Sequence, residues 1–263
     1  TIDVYPSNYF EETNPGCQGV ISCIEALQPR FLERAENLEK LLGIIDKDSR
    51  FYRNDMRDDL LGLFITKYYS IETYFVNDKN IRHILSKVTY ATKSDFNEDV
   101  IELIKTNFDA LIQDLYVISL EALKNACEIG YSSVVGYDYS EAKVTEQGSR
   151  TYYLSLLELK KDELQSFALE KNVSIADIKL IAKGKWFIYA FAYVISKSIA
   201  GLKTKCRDGV IVQCKSCIIG NYDDCLMNAK QSSYKPEAVR DMALEYLDLD
   251  ELIDIVTAIN KLK

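Results

Sequence analysis

Short, continuous apolar runs recur in the first third of the chain and predict β-strands. The run Leu41–Ile45 lacks polar residues, which is typical of a strand buried on both faces, and Leu60–Thr66 has the same character. Ile2–Tyr5 predicts an earlier strand. Helical patterns lie between Ile2–Tyr5 and Leu41–Ile45, and a polar loop spans Ser49–Asp59 before the next strand. Strands separated by helices predict a mostly parallel α/β sheet flanked by helices. The two helical patterns run from Gly16 to Leu27, where Pro29 interrupts the pattern, and from Phe31 to Lys40.

Apolar residues after Thr66 follow the three- and four-residue spacing of helices. The longest such pattern begins at Ser94, a predicted N-cap, and ends near Glu128. Pro236 is expected to open two terminal helices. We therefore predict an α/β core over residues 1–80 and a mainly helical region over residues 81–263. The other helical patterns are Leu154–Glu170, Ser174–Ile181 and Lys185–Ala200.

Composition describes an ordinary folded chain, with 48% hydrophobic and 27% charged residues. No apolar run reaches the roughly 20 residues that a bilayer requires. Without a signal peptide at the start of the sequence, we expect a cytoplasmic protein whose seven cysteines are reduced thiols. The single histidine, His83, argues against Ser-His or Cys-His catalysis.

The net charge of −8 excludes binding of nucleic acid by bulk electrostatic attraction, so any polyanion must bind locally. One segment is suited to this. From Ile178 to Arg207 there is no acidic residue, but there are seven basic ones. Lys183 and Lys185, on either side of Gly184, are candidate phosphate-binding residues. The alternative is that these lysines are simply solvated at a helix end.

Two aspartates follow the predicted strand Leu41–Ile45. Asp46 and Asp48 lie two residues apart, so in extended chain they point to the same side. Ligands bind at the carboxyl edge of open α/β sheets, and Mg²⁺ prefers carboxylate oxygens. We predict that both aspartates bind Mg²⁺, with Mn²⁺ as an alternative, for cleavage of a phosphodiester. Many Asp-x-Asp pairs are only solvated turn residues.

Glu72 follows the next predicted strand and is the candidate for a third acidic group at the same edge. It would act as a further metal ligand or orient a water molecule. The alternative is a glutamate in the first turn of a helix that Ser70 caps, where the helix dipole favours a negative charge.

A Cys-rich segment covers residues 206–225. Cys206, Cys214, Cys217 and Cys225 are separated by seven, two and seven residues, and four thiolates can hold structural Zn²⁺ tetrahedrally. Only one Cys-x2-Cys pair is present, and the outer spacings are unusual. Small buried thiols are therefore the alternative to a zinc site.

These motifs carry a family resemblance. Gly43–Asp48, the polar loop after it and Leu63–Tyr74 resemble the Toprim domain of OLD-like nucleases over roughly residues 1–80. More narrowly, they are similar to the Toprim effector of PARIS-type anti-phage defence systems. The resemblance extends weakly to Ile181–Phe187. It implies a Toprim-like fold and a Mg²⁺-dependent endonuclease that an ABC-type ATPase of the same operon regulates. It further implies a released effector that forms a homodimer and cuts RNA, notably tRNA.

One part of the family pattern has no counterpart. Toprim sites also use a glutamate after a first strand, and here Ile2–Tyr5 matches the second strand. We therefore expect the first strand and its glutamate to be absent from this sequence, and a molecule without them to be inactive. A non-catalytic regulatory or scaffold subunit of an ATPase complex is then the second hypothesis. The third, a phosphotransfer enzyme resembling the haloacid dehalogenase group, lacks that group's downstream motifs.

Overall fold

The computed structural model describes residues 3–6, 9 and 15–262, and within them the chain forms two compact units. Unit 1 combines Thr1–Ile71 with Leu249–Lys263, and unit 2 is Glu72–Asp248. The boundary falls at Ile71 rather than near residue 80, and the last segment of the chain returns to unit 1.

Unit 1 is built on two short parallel strands, β1 (Gly43–Ile45) and β2 (Leu63–Ile65), paired in register from Gly43 with Leu63 to Ile45 with Ile65. Helix α1 (Cys17–Glu33) packs on them. The predicted parallel pairing of these two runs is confirmed. A core of Ile21, Ile24, Phe31, Ile45 and Leu60 lies between the helix and the strands.

The prediction that the first of these strands is buried on both faces is wrong. Ile45 is buried, but Ile44 is 36% exposed, because α1 covers one face of the pair and β2 is its strand neighbour among the described residues. The strands are also shorter than predicted. Asp3–Tyr5 lie outside any strand, contrary to the prediction, and Ile2 is outside the described residues. The fold is thus α/β and mainly helical, with a two-stranded parallel sheet in its described part.

Helix α1 also corrects the prediction that Pro29 interrupts it. Pro29 lies inside the helix, which continues to Glu33. A proline removes one backbone hydrogen bond and usually kinks a helix. Here the residues after it remain helical because Phe31 is buried in the core that α1 shares with β1.

Unit 2 is helical, and its longest helix, α3 (Glu98–Cys127), has 30 residues. Its N-cap position is Asn97 rather than the predicted Ser94. Ser94 lies instead in a separate 3-10 turn that Thr92 caps, with reciprocal hydrogen bonds to Asp95. The other helices of unit 2 are α2 (Asp78–Val88), α4 (Glu141–Thr145), α5 (Gln147–Leu157), α6 (Lys161–Glu170), α7 (Ile178–Ile181), α8 (Gly184–Arg207), α9 (Lys215–Ile218) and α10 (Pro236–Leu244). Unit 1 also contains α11 (Ile253–Ile259).

Helix α8 is the centre of unit 2 and packs against α3, α4 and α10. Its first half is apolar all round and almost fully buried, as expected of a helix surrounded by others. Trp186 is fully buried, and its indole Nε1 donates to the carbonyl of Tyr139 at 3.0 Å. In the part of the chain that the structure describes, no helix is long and apolar enough to cross a membrane.

Candidate metal centres

Asp46 directly follows β1, at the carboxyl end of the parallel pair. Its Oδ1 accepts the backbone N–H of Ile71 at 3.0 Å. Thr66, the residue after β2, shapes the chain here, because its N–H donates to the carbonyl of Ile45 and its Oγ1 accepts the N–H of Lys47. Ile71 therefore holds the Asp46 side chain, and Thr66 fixes the backbone on either side of Asp46.

Asp48 lies in a tight turn, with a φ of 38°. Its Oδ1 accepts the backbone N–H of Arg50 at 2.8 Å, and its Oδ2 accepts from the Arg50 guanidinium at 2.8 Å. Although burial by itself lowers the pKa of Arg50, the hydrogen bond and negative charge of Asp48 raise it above the ordinary value. Both carboxylate oxygens of Asp48 thus already have a cationic partner in the chain.

The other predicted phosphate and metal residues belong to unit 2. Glu72 is half-buried in the 3-10 turn Ile71–Phe75 and is the first residue of that unit. Lys183 occupies the N-cap position of α8, and its ammonium donates to the carbonyl of Tyr137 at 2.6 Å. Lys185 is exposed in the first turn of the same helix.

Four cysteines converge inside unit 2. The sulfur atoms of Cys206, Cys214, Cys217 and Cys225 all lie within 4.8 Å of one another, and every one of these residues is buried. Cys206 lies in the last turn of α8, Cys214 is the N-cap residue of α9, Cys217 lies in α9, and Cys225 follows in the next loop. The folded chain thus brings together four soft ligands from 20 residues of sequence.

The sulfur spacing suits a tetrahedral metal. Zinc–sulfur bonds of about 2.3 Å place neighbouring sulfurs of a tetrahedron about 3.8 Å apart. Cys214 Sγ lies 3.9 Å from Cys225 Sγ. Within the described ranges this is the one group of three or more potential ligands whose donor atoms converge in this way. A buried cluster of four cysteines could therefore hold a metal ion.

Backbone N–H groups point at the cluster, as they do around thiolate ligands. The N–H of Cys214 lies 3.2 Å from Cys206 Sγ. Burial works to raise the pKa of the Cys214 thiol, but N–H groups of Cys217 and Leu226 outweigh it and lower that pKa to about 7. Burial raises the pKa of Cys206 to about 11. The pKa of the Cys214 thiol is thus lowered and that of Cys206 raised within the same cluster.

Sequence reasoning missed Arg50 and Thr66. Asp48 and Arg50 form an Asp-x-Arg motif, and a turn brings the two side chains together as an ion pair. This spacing was the signal in the sequence from which the pair could have been predicted. Nothing in the sequence marked Thr66 as the residue that fixes the chain after β1. Both residues decide how the strand-end aspartates are presented.

Comparisons of this chain with protein-family models, with curated proteins and with solved structures gave no match. Inferences about function therefore rest on the residues and on their geometry.

Proposed function

We propose that this chain is a metal-dependent nuclease with a Toprim-like core, in which Asp46 and Asp48 are ligands of Mg²⁺ or Mn²⁺. The observation that supports the proposal is the place of these acids at the carboxyl end of a parallel strand pair. That edge is where α/β proteins bind their ligands. Bound there, a divalent cation would activate a water molecule and stabilise the leaving oxygen of a phosphodiester.

The residues of the chain have separate roles in this proposal. The Ile71 N–H fixes the Oδ1 of Asp46, and the Asp46 carboxylate is the proposed first ligand of the cation. Asp48 would hold the cation in place of its present partner Arg50, whose guanidinium would then contact a phosphate oxygen. Glu72, which follows β2 in the sequence, is the proposed third ligand or water-orienting group.

The family resemblance supplies the biological part of the proposal. RNA, with tRNA favoured, is the proposed substrate, and an ABC-type ATPase of the same operon is the proposed partner. The active form is proposed to be a homodimer in bacterial anti-phage defence. Lys183 and Lys185 remain proposed phosphate-binding residues, with Lys185 favoured because the ammonium of Lys183 is already bonded to a carbonyl.

Cleavage assays with Asp46→Asn and Asp48→Asn test the nuclease. Total tRNA and plasmid DNA are incubated with the full-length protein, the form expected to supply the first-strand glutamate, in Mg²⁺, Mn²⁺ or EDTA, with and without the ATPase. We expect metal-dependent cleavage of RNA that falls in each variant by on the order of 100-fold or more, because removing a ligand removes the activated water. Asp55→Asn is the matched control, since Asp55 is exposed in the same loop. Unchanged cleavage in both ligand variants would refute the assignment.

A non-catalytic subunit of an ATPase complex is the second candidate, and the Asp48–Arg50 pair favours it. A carboxylate held on both oxygens by an arginine is often purely structural. This candidate predicts co-elution of the chain with the ATPase in size-exclusion chromatography and no cleavage of any substrate under any metal. It also predicts that Asp46→Asn leaves the complex intact.

We propose Zn²⁺ as the metal of the four-cysteine cluster. Soft thiolates in a tetrahedral set select Zn²⁺ over the hard cations proposed for the aspartates. All four ligands come from the protein and none leaves an open position, so the ion would stabilise the fold rather than take part in chemistry. Elemental analysis of protein purified without chelator tests this, with about one zinc per chain expected. Iron or no metal would contradict it.

A further inference from the structure

An acid-free groove lies on unit 2 between α3 and the second half of α8. It has a volume of about 210 Å³. The described residues that line it include two lysines and no aspartate or glutamate, in a chain with 40 acidic and 32 basic residues. The lining residues are Asn107, Tyr193, Val194, Lys197, Ser198, Gly201 and Lys205.

The two lysines of the groove have no acidic partner. Within the described part of the chain neither Lys197 nor Lys205 takes part in an ion pair, and nearby Lys203 is likewise unpaired. Several other basic residues of this acidic protein are paired with a carboxylate, as Arg207 is with Asp208. Uncompensated positive charge at one place is what local binding of a polyanion requires.

The helix geometry spreads these charges along the groove. Tyr193, Lys197, Gly201 and Lys205 are separated by four residues each, so they form one row along α8. At about 1.5 Å of rise per residue, the lysines are separated by about 12 Å along the axis, far enough to hold two different phosphates. The Lys197 ammonium lies 5.4 Å from the Tyr193 ring centroid, which places an aromatic face beside a cation. Aromatic faces next to lysines are how proteins bind single strands.

Gly201 is a second, independent observation. A glycine inside a helix costs about 1 kcal/mol relative to alanine, so packing usually explains it. Here packing does not. A Cβ at this position would meet only Lys205 Cε, at an ordinary 3.7 Å. The missing side chain instead leaves the floor of the groove open between the two lysines.

We propose that this groove binds the phosphodiester backbone of single-stranded RNA, with Lys197 and Lys205 on phosphates and Tyr193 beside a base. The inference rests on the proposed nuclease function, since it names a substrate-binding surface for it. Asn107 adds a hydrogen-bonding side chain on the α3 wall. The zinc cluster begins at Cys206, directly after Lys205, and would fix the end of the helix that carries the groove.

The test is fluorescence anisotropy with an end-labelled single-stranded RNA of mixed sequence, in EDTA so that binding is measured without cleavage. Lys197→Gln/Lys205→Gln removes the two groove charges. Lys87→Gln/Lys161→Gln is the control, because it removes the same charge from exposed lysines that pair with Glu245 and Glu158. We expect the groove variant to bind on the order of tenfold more weakly at low salt, with the salt slope reduced by about 1.4.

A second variant keeps every charge and so tests the shape of the groove separately from its charge. Gly201→Gln fills the groove, while glutamine is a better helix former than glycine, so the fold is expected to be retained. Weakened binding in this variant supports the groove. Equal losses in the groove and control variants, groove variants that bind like the native chain, or no RNA binding by the native chain would overturn it.

Competition and cleavage separate the remaining explanations. Polyglutamate that displaces the RNA as well as unlabelled RNA does would overturn the proposal in favour of an acidic protein ligand. Single-stranded DNA of the same sequence shows whether the groove reads more than the shared phosphodiester chemistry. RNA that binds at the groove without ever being cleaved refutes the nuclease and retains the groove. Metal-dependent cleavage of RNA together with unaltered RNA binding in both groove variants refutes the groove and retains the nuclease.

Discussion

The two candidate metal centres of this chain differ in how far their ligand atoms are already bonded to other groups of the protein. The four cysteine sulfurs are buried, close to one another and surrounded by backbone N–H groups. At the strand end, Asp48 is bonded through both oxygens to Arg50, and Asp46 accepts the N–H of Ile71. The four sulfurs are spaced as in a tetrahedral metal site, whereas the two aspartates are bonded to groups of the protein.

This difference teaches what a fold fixes in advance. Four thiols buried together have little to gain from one another, and their spacing is one in which a metal ion could be held as part of the folded structure. A strand-end aspartate with an arginine partner has its charge compensated without an ion. We therefore expect the loss of a cysteine ligand to lower the free energy of unfolding strongly. We expect the loss of Arg50 to change that free energy little and to change the affinity for Mg²⁺ instead.

The largest expected effect comes from the cysteine cluster. Cys217→Ser removes a ligand whose side chain is almost fully buried, and we expect the zinc content to fall towards zero. Because metal binding to such sites is coupled to folding, the free energy of unfolding should fall by several kcal/mol. Thermal unfolding followed by circular dichroism, with and without a zinc chelator, measures this.

Cys127→Ser is the matched control for that experiment. Cys127 is a half-buried cysteine at the end of α3 in the same unit and lies outside the cluster. It should retain zinc and nearly all of its stability. A native protein whose unfolding is insensitive to the chelator, and matches that of Cys217→Ser, would remove the contrast between the two centres.

A buried carboxylate in unit 2 sharpens the comparison with Asp48. Glu121 is fully buried, and its oxygens accept from Lys160, from the Tyr131 hydroxyl and from the Val134 N–H. Glu121→Ala removes the acceptor of the Tyr131 hydroxyl and of the Val134 N–H and leaves Lys160 without its counter-charge, so we expect a loss of about 3–5 kcal/mol in urea unfolding. Glu158→Ala, which breaks an exposed pair with Lys161, should lose less than about 1 kcal/mol. Similar losses in both variants would show that burial does not set the strength of these pairs.

Substitutions of Gly43 in β1 and Gly201 in α8 test how tightly each of the two units is packed. A Cβ on Gly43 in β1 would lie 2.7 Å from Ile24 Cγ1, so Gly43→Ala must push the strand away from α1. We expect a loss of about 1–3 kcal/mol in urea unfolding. Gly201→Ala meets no such contact and should gain up to about 1 kcal/mol. A neutral Gly43→Ala would mean that the strand carrying Asp46 is loosely packed.

The sequence pattern located the strands but not their surroundings. β1 and β2 lie inside the predicted runs Leu41–Ile45 and Leu60–Thr66, because continuous apolar stretches bounded by polar loops suit strands. The pattern could not say how many neighbours each strand has, which is why Ile44 is exposed rather than buried. Burial on both faces depends on tertiary partners that periodicity does not encode.

The candidate sites were predictable to different degrees. The spacing of Cys206, Cys214, Cys217 and Cys225 suggested a metal but left buried thiols open, because spacing does not fix the path of the chain between ligands. The N-cap of α9 and the last turn of α8 bring the sulfurs together. Asp46 and Asp48 were recognisable from the strand before them. The hold of Arg50 on Asp48 depends on a turn with positive φ that hydrophobic patterning does not reveal.

Arg50→Ala gives the smallest change in stability and decides what Asp48 does. Arg50 and Asp48 are partly exposed, with side-chain accessibilities of 12% and 28%, so we expect a loss of less than about 1 kcal/mol in urea unfolding. If Asp48 is a metal ligand, removing its competitor should strengthen Mg²⁺ binding in calorimetric titration. Arg53→Ala, which breaks the more exposed pair with Asp55, should leave Mg²⁺ affinity unchanged. Unaltered or weaker Mg²⁺ binding in Arg50→Ala would make the Asp48–Arg50 pair a structural turn and leave the non-catalytic subunit as the better account of the chain.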